Sequence, residues 1–540
     1  MAAMMVFLFV DSKKLIKKGF IIFNFKLRNI WRKYSPLFNW QISGDSPNNP
    51  LIRPVDPWKG SLSRGEKSFL SHPKIVSEDY WDSFEWLRDL REIGSEKARI
   101  RSRNLVDEWH NLNPFWDEIK WSPRLIAKRL SNILFCYGTF ADTADSDFQE
   151  RLMKKFTSQA RCLELDLKNI NDNPEKLYLL LGVMAGRVCL TKEKEEINFI
   201  IEAVIDEIEQ ITNEDGMHIS RRPQLQLETL KIIIEIQYLG KSSKQYVREK
   251  YTKIINKLTS FSKMLRHTDG TIINFNGGSK YKKETISQLI SKSDTSIKSL
   301  IGISKDGYSK INSKSTSIIF DIGSPFRNSK NWHAGTLSFE FSSGKNLILV
   351  NSGFMNVDNG WANALRGTSA HSTISIDGKN SSNLEQNAKS DRFARVFNKK
   401  IEKTTSGINV SAKHDGYLLS YGIYHKRELF LNKEGDKIQG IDELINKGIP
   451  DSIPIQAEVR FHLHPDIKAA RAISGDIILR LKNGSGWTFK INESKAKLEK
   501  SIFIAENNVL KSKQILVKVP LNSIISSKTK TIKWEFLKNI

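Results

Sequence analysis

The apolar residues of this 540-residue chain change period once, and that change constrains the fold more than any other feature. Up to about residue 265 they recur at helical spacing. After about residue 313 they alternate, which is the period of half-buried strands. A chain that runs helices first and strands afterwards builds bodies of different class rather than one mixed sheet. Its length suffices for two or three domains, each with its own core.

Residues 41–75 are loop-like, with Pro47, Pro50, Pro54 and Pro57, and they divide a leader and loop segment (1–57) from the body. In the helical part, Ser95 and Glu96 read as an N-cap and first-turn acid ahead of Ala98, Leu105, Val106 and Trp109. Ser122 reads as a cap with Pro123 at the first helical position, ahead of Ile126, Leu130, Ile133 and Leu134. Further periodic segments lie near 148–165, 175–190, 195–211, 223–239 and 244–265. Paired antiparallel helices in that number predict an α/α array or toroid over 58–290. Over 300–540, short alternating runs and turns at Asp377-Gly378, Asp415-Gly416 and Asn483-Gly484 predict an antiparallel sandwich.

The formal net charge of +24 favours an acidic partner: a polyanionic glycan, a nucleic acid or a membrane surface. No interleaving of basic and aromatic residues of the kind found in nucleic-acid modules stands out, so nucleic acid is not expected. Cys136, Cys162 and Cys189 lie in apolar helical context without metal-ligand spacing, and read as buried thiols. Met1 to Val10 is apolar but too short to span a bilayer, and it lacks the flanks of a signal peptide. Lys13 to Lys33 interleaves basic residues with Ile, Phe and Leu. This is a basic amphipathic helix, either in membrane-surface contact or packed on the body.

The densest chemistry falls between Trp332 and Gly378. Leu337 to Phe341, Leu347 to Val350 and Ser372 to Ile376 read as strands. His333 and His371 each precede a strand and Asn351 follows one, so three potential ligand groups can converge at one point of a sheet. The segments HAGTLSFE, Ser352-Gly353, RGTSAHSTISIDG, KHDGYLLSYGIYHKREL (Lys413 to Leu429) and RFHLHP (Arg460 to Pro465) resemble, in order, the C-terminal domain of heparinase II/III-type polysaccharide lyases. The resemblance covers roughly Trp58 to the C-terminus. It implies an incomplete (α/α) toroid followed by an antiparallel β-sandwich, a place in the cell envelope or periplasm, and β-elimination on an acidic, uronate-containing polysaccharide. Elimination needs a base for the C5 proton, a cation to neutralise the carboxylate and an acid for the leaving oxygen.

Carried over residue by residue, the resemblance makes His218 a candidate proton-transfer group, with Arg222 beside it. Arg366 becomes a carboxylate clamp and Tyr417 a proton donor. His333, Asn351 and His371 would hold a divalent metal, zinc or calcium. The chain departs from the family at telling places. Asn331 replaces the first His of a His-x-His pair, Gly335 an aspartate, and Asn351 the metal-ligand aspartate. Leu225 and Gln226 stand where the family has a Tyr-His pair. The alternative is therefore a catalytically reduced glycan- or envelope-binding protein of the same fold. Each residue also has a structural reading: His218 caps a helix, His333 and His371 pin strand ends, Arg366 clamps its loop, and Tyr417 packs in a turn. His462 and His464 read as a solvent-facing pair.

Overall fold

The computed structural model describes residues 27–170, 175–191, 193–243, 249–278, 281–293, 296–326, 332–355, 361–384, 392–447, 452–492, 495–505 and 508–539. Met1 to Val10, most of the Lys13 to Lys33 segment and Asn331 lie outside them.

Helices form where the periodicity places them: Glu96–Leu112, Pro123–Phe140, Ser146–Leu167, Lys176–Leu190, Lys194–Ile211, Pro223–Ser242 and Glu249–Met264. Ser95 caps the first of these, its Oγ accepting from Ala98 N at 3.2 Å. Ser122 makes no side-chain cap bond; its extended backbone and Pro123 alone start the next helix. Ile126, Leu130, Ile133 and Leu134 are buried as their spacing requires. Gly182 lets two helices meet closely, since a Cβ there would stand 2.2 Å from Leu163 Cδ1. All three cysteines are buried, and burial pushes the Cys136 and Cys162 thiols up to about 12.

From Gly302 onward the chain is antiparallel sheet. Among the described residues one sheet runs Gly302–Ile303, Tyr308–Ser313, Thr316–Asp321, Phe339–Ser343, Asn346–Val350, Gln456–Leu463, Asn508–Pro520, Lys497–Ala505, with Ile374–Ile376 also paired to Gln456–Leu463. The other runs Lys468–Arg471, Ile477–Arg480, Gly486–Ile491, Thr529–Asn539, Lys437–Asn446, Ile423–Asn432, Gly407–Tyr417, Val396–Lys403. Their inner faces share one core. Phe341 of the first sheet meets Trp487 of the second at 5.4 Å between ring centroids, and Phe461 meets Trp534 at 4.9 Å. Strand Ile423–Asn432 alternates buried and half-buried at every position, as a sandwich face must.

Two turn dipeptides behave differently. Asp377 and Gly378 have φ of +46° and +71° and close a tight turn in which Lys379 N donates to Ile376 O at 2.9 Å. Asp415 and Gly416 form no hairpin; they lie inside strand Gly407–Tyr417, at an irregularity between His414 and Tyr417. Glycine is needed there for close approach, because a Cβ at 416 would sit 2.3 Å from Ser381 O.

Compactness cuts the chain at different points from secondary-structure class. One unit comprises Met1–Ile208 with Ile232–Thr252, and the other Glu209–Lys231 with Lys253–Ile540. The loop carrying His218 and Arg222 thus belongs to the unit that contains the sandwich.

Candidate functional site

His218 does not open a helix. It pairs with Thr212 in an isolated antiparallel bridge, in the connection that precedes helix Pro223–Ser242. The Ser220 amide donates to His218 Nδ1 at 3.1 Å, which fixes the ring proton on Nε2. Burial first, and then the charge of Arg222, depress its pKa to about 4. A neutral imidazole whose Nδ1 is taken and whose Nε2 carries the proton has no free nitrogen with which to accept another. The neighbouring Gln226 is 1% exposed. Its Oε1 accepts from His218 N at 2.8 Å, and its Nε2 donates to Gly216 O at 3.0 Å and Leu258 O at 3.2 Å. The amide at this position is consumed in holding the turn.

His333 and His371 meet. His371 Nδ1 donates to Gly367 O at 2.8 Å, leaving Nε2 as an acceptor. That nitrogen takes the Nδ1 proton of His333 at 3.2 Å. His333 Nε2 is then an acceptor, and it is buried without a partner. Burial, reinforced by His371, Arg366 and Arg222, drives the His333 pKa well down. Burial brings His371 to about 4. Both rings are neutral near pH 7. Gly335 makes this contact possible: a Cβ there would stand 2.4 Å from His371 Cδ2, so the ring occupies the space an aspartate would need.

Asn351 is engaged elsewhere. Its Nδ2 donates to Glu340 Oε1 at 3.0 Å, and its Oδ1 accepts from Ser372 N at 2.9 Å. Glu340, 1% exposed, also accepts from Asn351 N and Asn274 N and is paired with His267 Nε2 at 2.8 Å. The expected metal set therefore does not fit zinc or calcium. Two of its nitrogens are spent on each other, and the third residue is an uncharged amide already hydrogen-bonded at both ends. Among the described residues no three His, Cys, Asp or Glu side chains group to hold an ion.

The remaining expected residues have structural duties. Arg366 Nε donates to Trp332 O at 2.9 Å, Nη1 to Asn363 Oδ1 at 3.3 Å and Nη2 to Leu384 O at 3.4 Å, which ties its loop together. Tyr417 is a correction to the proton-donor expectation. It lies unexposed in the sandwich core, its hydroxyl donates to Ile374 O at 2.7 Å, and burial pushes its pKa up. His462 is not solvent-facing either. It is 3% exposed, with Nδ1 on Ser501 Oγ at 2.8 Å and Nε2 donating to Ser369 O at 3.0 Å. His464 lies beyond the strand end and is half-buried. Arg222 keeps an unsatisfied buried Nε, and its charge is felt by both His218 and His333.

Sequence reasoning passed over a groove of about 430 Å³ bordered by Trp361, Leu365, Ser369, His462, Lys500 and Ser501. Trp361 is 49% exposed. An exposed indole next to hydroxyls and an ammonium suits a sugar ring, which presents C–H groups to the aromatic face and hydroxyls to the rim. A lone tryptophan at the head of the short helix Trp361–Arg366 carries no sequence signal of that kind.

Comparison with known proteins agrees with the architecture. Residues 300–535 match the family described as heparinase II/III-like, C-terminal. Over 477 residues the chain is 26% identical to FtsZ-localized protein C of Caulobacter vibrioides (strain NA1000 / CB15N), covering 84% of this chain and 81% of that protein. The crystal structure of heparinase III superposes with a TM-score of 0.68 at 12% identity, over 93% of this chain and 88% of that one. A mutant heparan sulfate lyase HepC from Pedobacter heparinus gives a TM-score of 0.62 at 14% identity, with coverage of 93% and 88%.

Proposed function

We propose that this chain, whose residues 300–535 match the heparinase II/III-like C-terminal family, uses the polysaccharide-lyase fold to bind an acidic polysaccharide without cleaving it. One observation carries this reading. The positions of the family's Tyr-His pair hold Leu225 and Gln226, and Gln226 is locked into the His218 turn by three hydrogen bonds. The other candidate acid–base groups give no replacement: His218 has no accepting nitrogen and Tyr417 is sealed in the core. Binding asks less of the site than turnover does. Arg222, half-buried beside His218, supplies a guanidinium that suits a carboxylate, as on a uronate ring. The Trp361 groove adds a stacking surface. The name of the Caulobacter relative supports a place beside FtsZ.

β-Elimination is the second reading, favoured by the fold match to heparan sulfate lyase. One experiment separates the two. The protein is titrated with heparan sulfate, chondroitin, hyaluronan, alginate and bacterial polyuronates while binding and ultraviolet absorbance are followed together, because elimination creates a conjugated double bond. Binding with flat absorbance, weakened roughly tenfold by Trp361→Ala and by Arg222→Ala, is the expected result. Growing absorbance that His218→Ala slows by roughly 100-fold restores the lyase reading.

A further inference from the structure

One helix in the first compact unit faces the wrong way round. Residues 27–34 are helical, and Pro36–Ile42 form a second short helix after Ser35. Leu27, Ile30, Trp31 and Tyr34 stand at i, i+3, i+4 and i+7, the spacing of an amphipathic stripe, which ordinarily faces the core. Here it faces out: Leu27 is 48% exposed, Ile30 56%, Trp31 41% and Tyr34 71%. The side that docks is polar. Arg32 and Asn29 are buried, and Arg32 Nη2 pairs with Asp166 Oδ1 at 2.7 Å while Nη1 bonds Oδ2 at 3.3 Å. Arg28 adds a second, longer pairing to Asp166 at 3.5 Å. Beyond the break, Phe38 and Ile42 anchor the second helix inward, and Leu37 and Trp40 are 67% and 77% exposed.

We propose that this face is a membrane-surface contact that seats the protein on an anionic lipid bilayer. An ion pair holding the polar side to the body fixes the apolar side outward, at the cost of leaving large apolar groups in water. Their chemistry suits the bilayer interface: Trp31, Tyr34 and Trp40 each join an apolar body to a polar tip, the residue types that gather at headgroup depth. The charge is complementary to anionic headgroups. Lys33 sits over the Tyr34 ring at 5.3 Å. The preceding 26 residues contain Lys13, Lys14, Lys17, Lys18 and Lys26 against the single acid Asp11. Among the described residues no helix is long and apolar enough to cross a membrane. An amphipathic helix with aromatic residues on its apolar side and basic ones beside it lies along the interface.

The full-length chain is floated with vesicles of phosphatidylethanolamine and phosphatidylglycerol, and with phosphatidylcholine vesicles as the neutral arm. Co-flotation with the anionic vesicles is expected, weaker with neutral ones and at high salt. Trp31→Glu combined with Trp40→Glu should lower anionic partitioning at least about tenfold, with an unchanged circular dichroism melt because both residues are on the surface. Three results would overturn the proposal: no flotation of the parent chain, undiminished flotation of the double variant, or a parent dimer that the double variant converts to monomer. Since the altered residues belong to one compact unit and His218, Arg222 and Trp361 to the other, glycan titration of the same variant tells failure here from failure of the binding reading.

Discussion

His425 Nε2 donates to Asp442 Oδ1 at 2.7 Å, and neither side chain has any exposed surface. The bond ends a proton-ordered chain across the sandwich core. Gly416 N donates to His414 Nδ1, and His414 Nε2 donates to His425 Nδ1 at 3.2 Å. Arg427 joins the same carboxylate through Nε at 2.7 Å and Nη2 at 3.0 Å, and its Nη1 reaches Leu337 O and Ser372 O. The loops that carry His333 and His371 are therefore fixed from within by one arginine.

Asp442→Ala should destabilise the protein by about 3–5 kcal/mol, because it leaves Arg427 charged and unpaired in the core. Replacing both partners at once, Arg427→Met with Asp442→Leu, should recover much of that loss. Urea unfolding followed by circular dichroism measures both. A cost below about 1 kcal/mol for Asp442→Ala would deny the network its structural role.

Acid should weaken the helical unit through His110. Burial first, then Arg129 and Lys155, depress its pKa from 6.5 to about 3 in the folded chain. Between those values the unfolded chain binds a proton that the folded chain does not, so stability rises with pH. The contribution is complete above pH 6.5 and drains as pH falls toward 3, to a limit on the order of 3–5 kcal/mol. His110→Gln should flatten the stability-versus-pH slope in that window; an unaltered slope refutes the assignment.

Gln226→Leu should cost about 1–3 kcal/mol, since it strands the His218 amide and the Gly216 carbonyl, while Leu258 O keeps its bond from Ser262 Oγ at 2.7 Å. Gln226→Glu tests the geometry separately, because it keeps the acceptor for His218 N but loses the donor to both carbonyls. Thermal melts should show both variants destabilised, with Gln226→Glu recovering as pH falls, because protonation removes the buried charge and restores a donor toward the carbonyls.

Chelator should leave the melting temperature unchanged, because the His333–His371 bond stands where a metal would be ligated. Elemental analysis of protein prepared without chelator should find no stoichiometric zinc or calcium, and added zinc should not raise the melting temperature. A stabilising, saturable zinc effect abolished by His371→Ala would reverse this.

The sequence by itself determined the order of the architecture, since period is a local property. Helix Pro123–Phe140 could be read from Ser122, Pro123 and four apolar residues, and the Asp377-Gly378 turn from its dipeptide, because each is decided by the chain's own neighbours. It also showed that Leu225 and Gln226 replace a Tyr-His pair. Tertiary structure decided everything that depends on what lies across a gap. Asp415-Gly416 reads as a turn, yet Ser381 O packs against Gly416 and holds it in a strand. His462 reads as exposed until Ser369 and Ser501 close over it. The Leu27–Tyr34 stripe is legible as a stripe, but its direction is set by Asp166, more than a hundred residues away, through one buried ion pair. Spacing specifies which residues share a face; only the partner on the other side decides whether that face is core, site or surface.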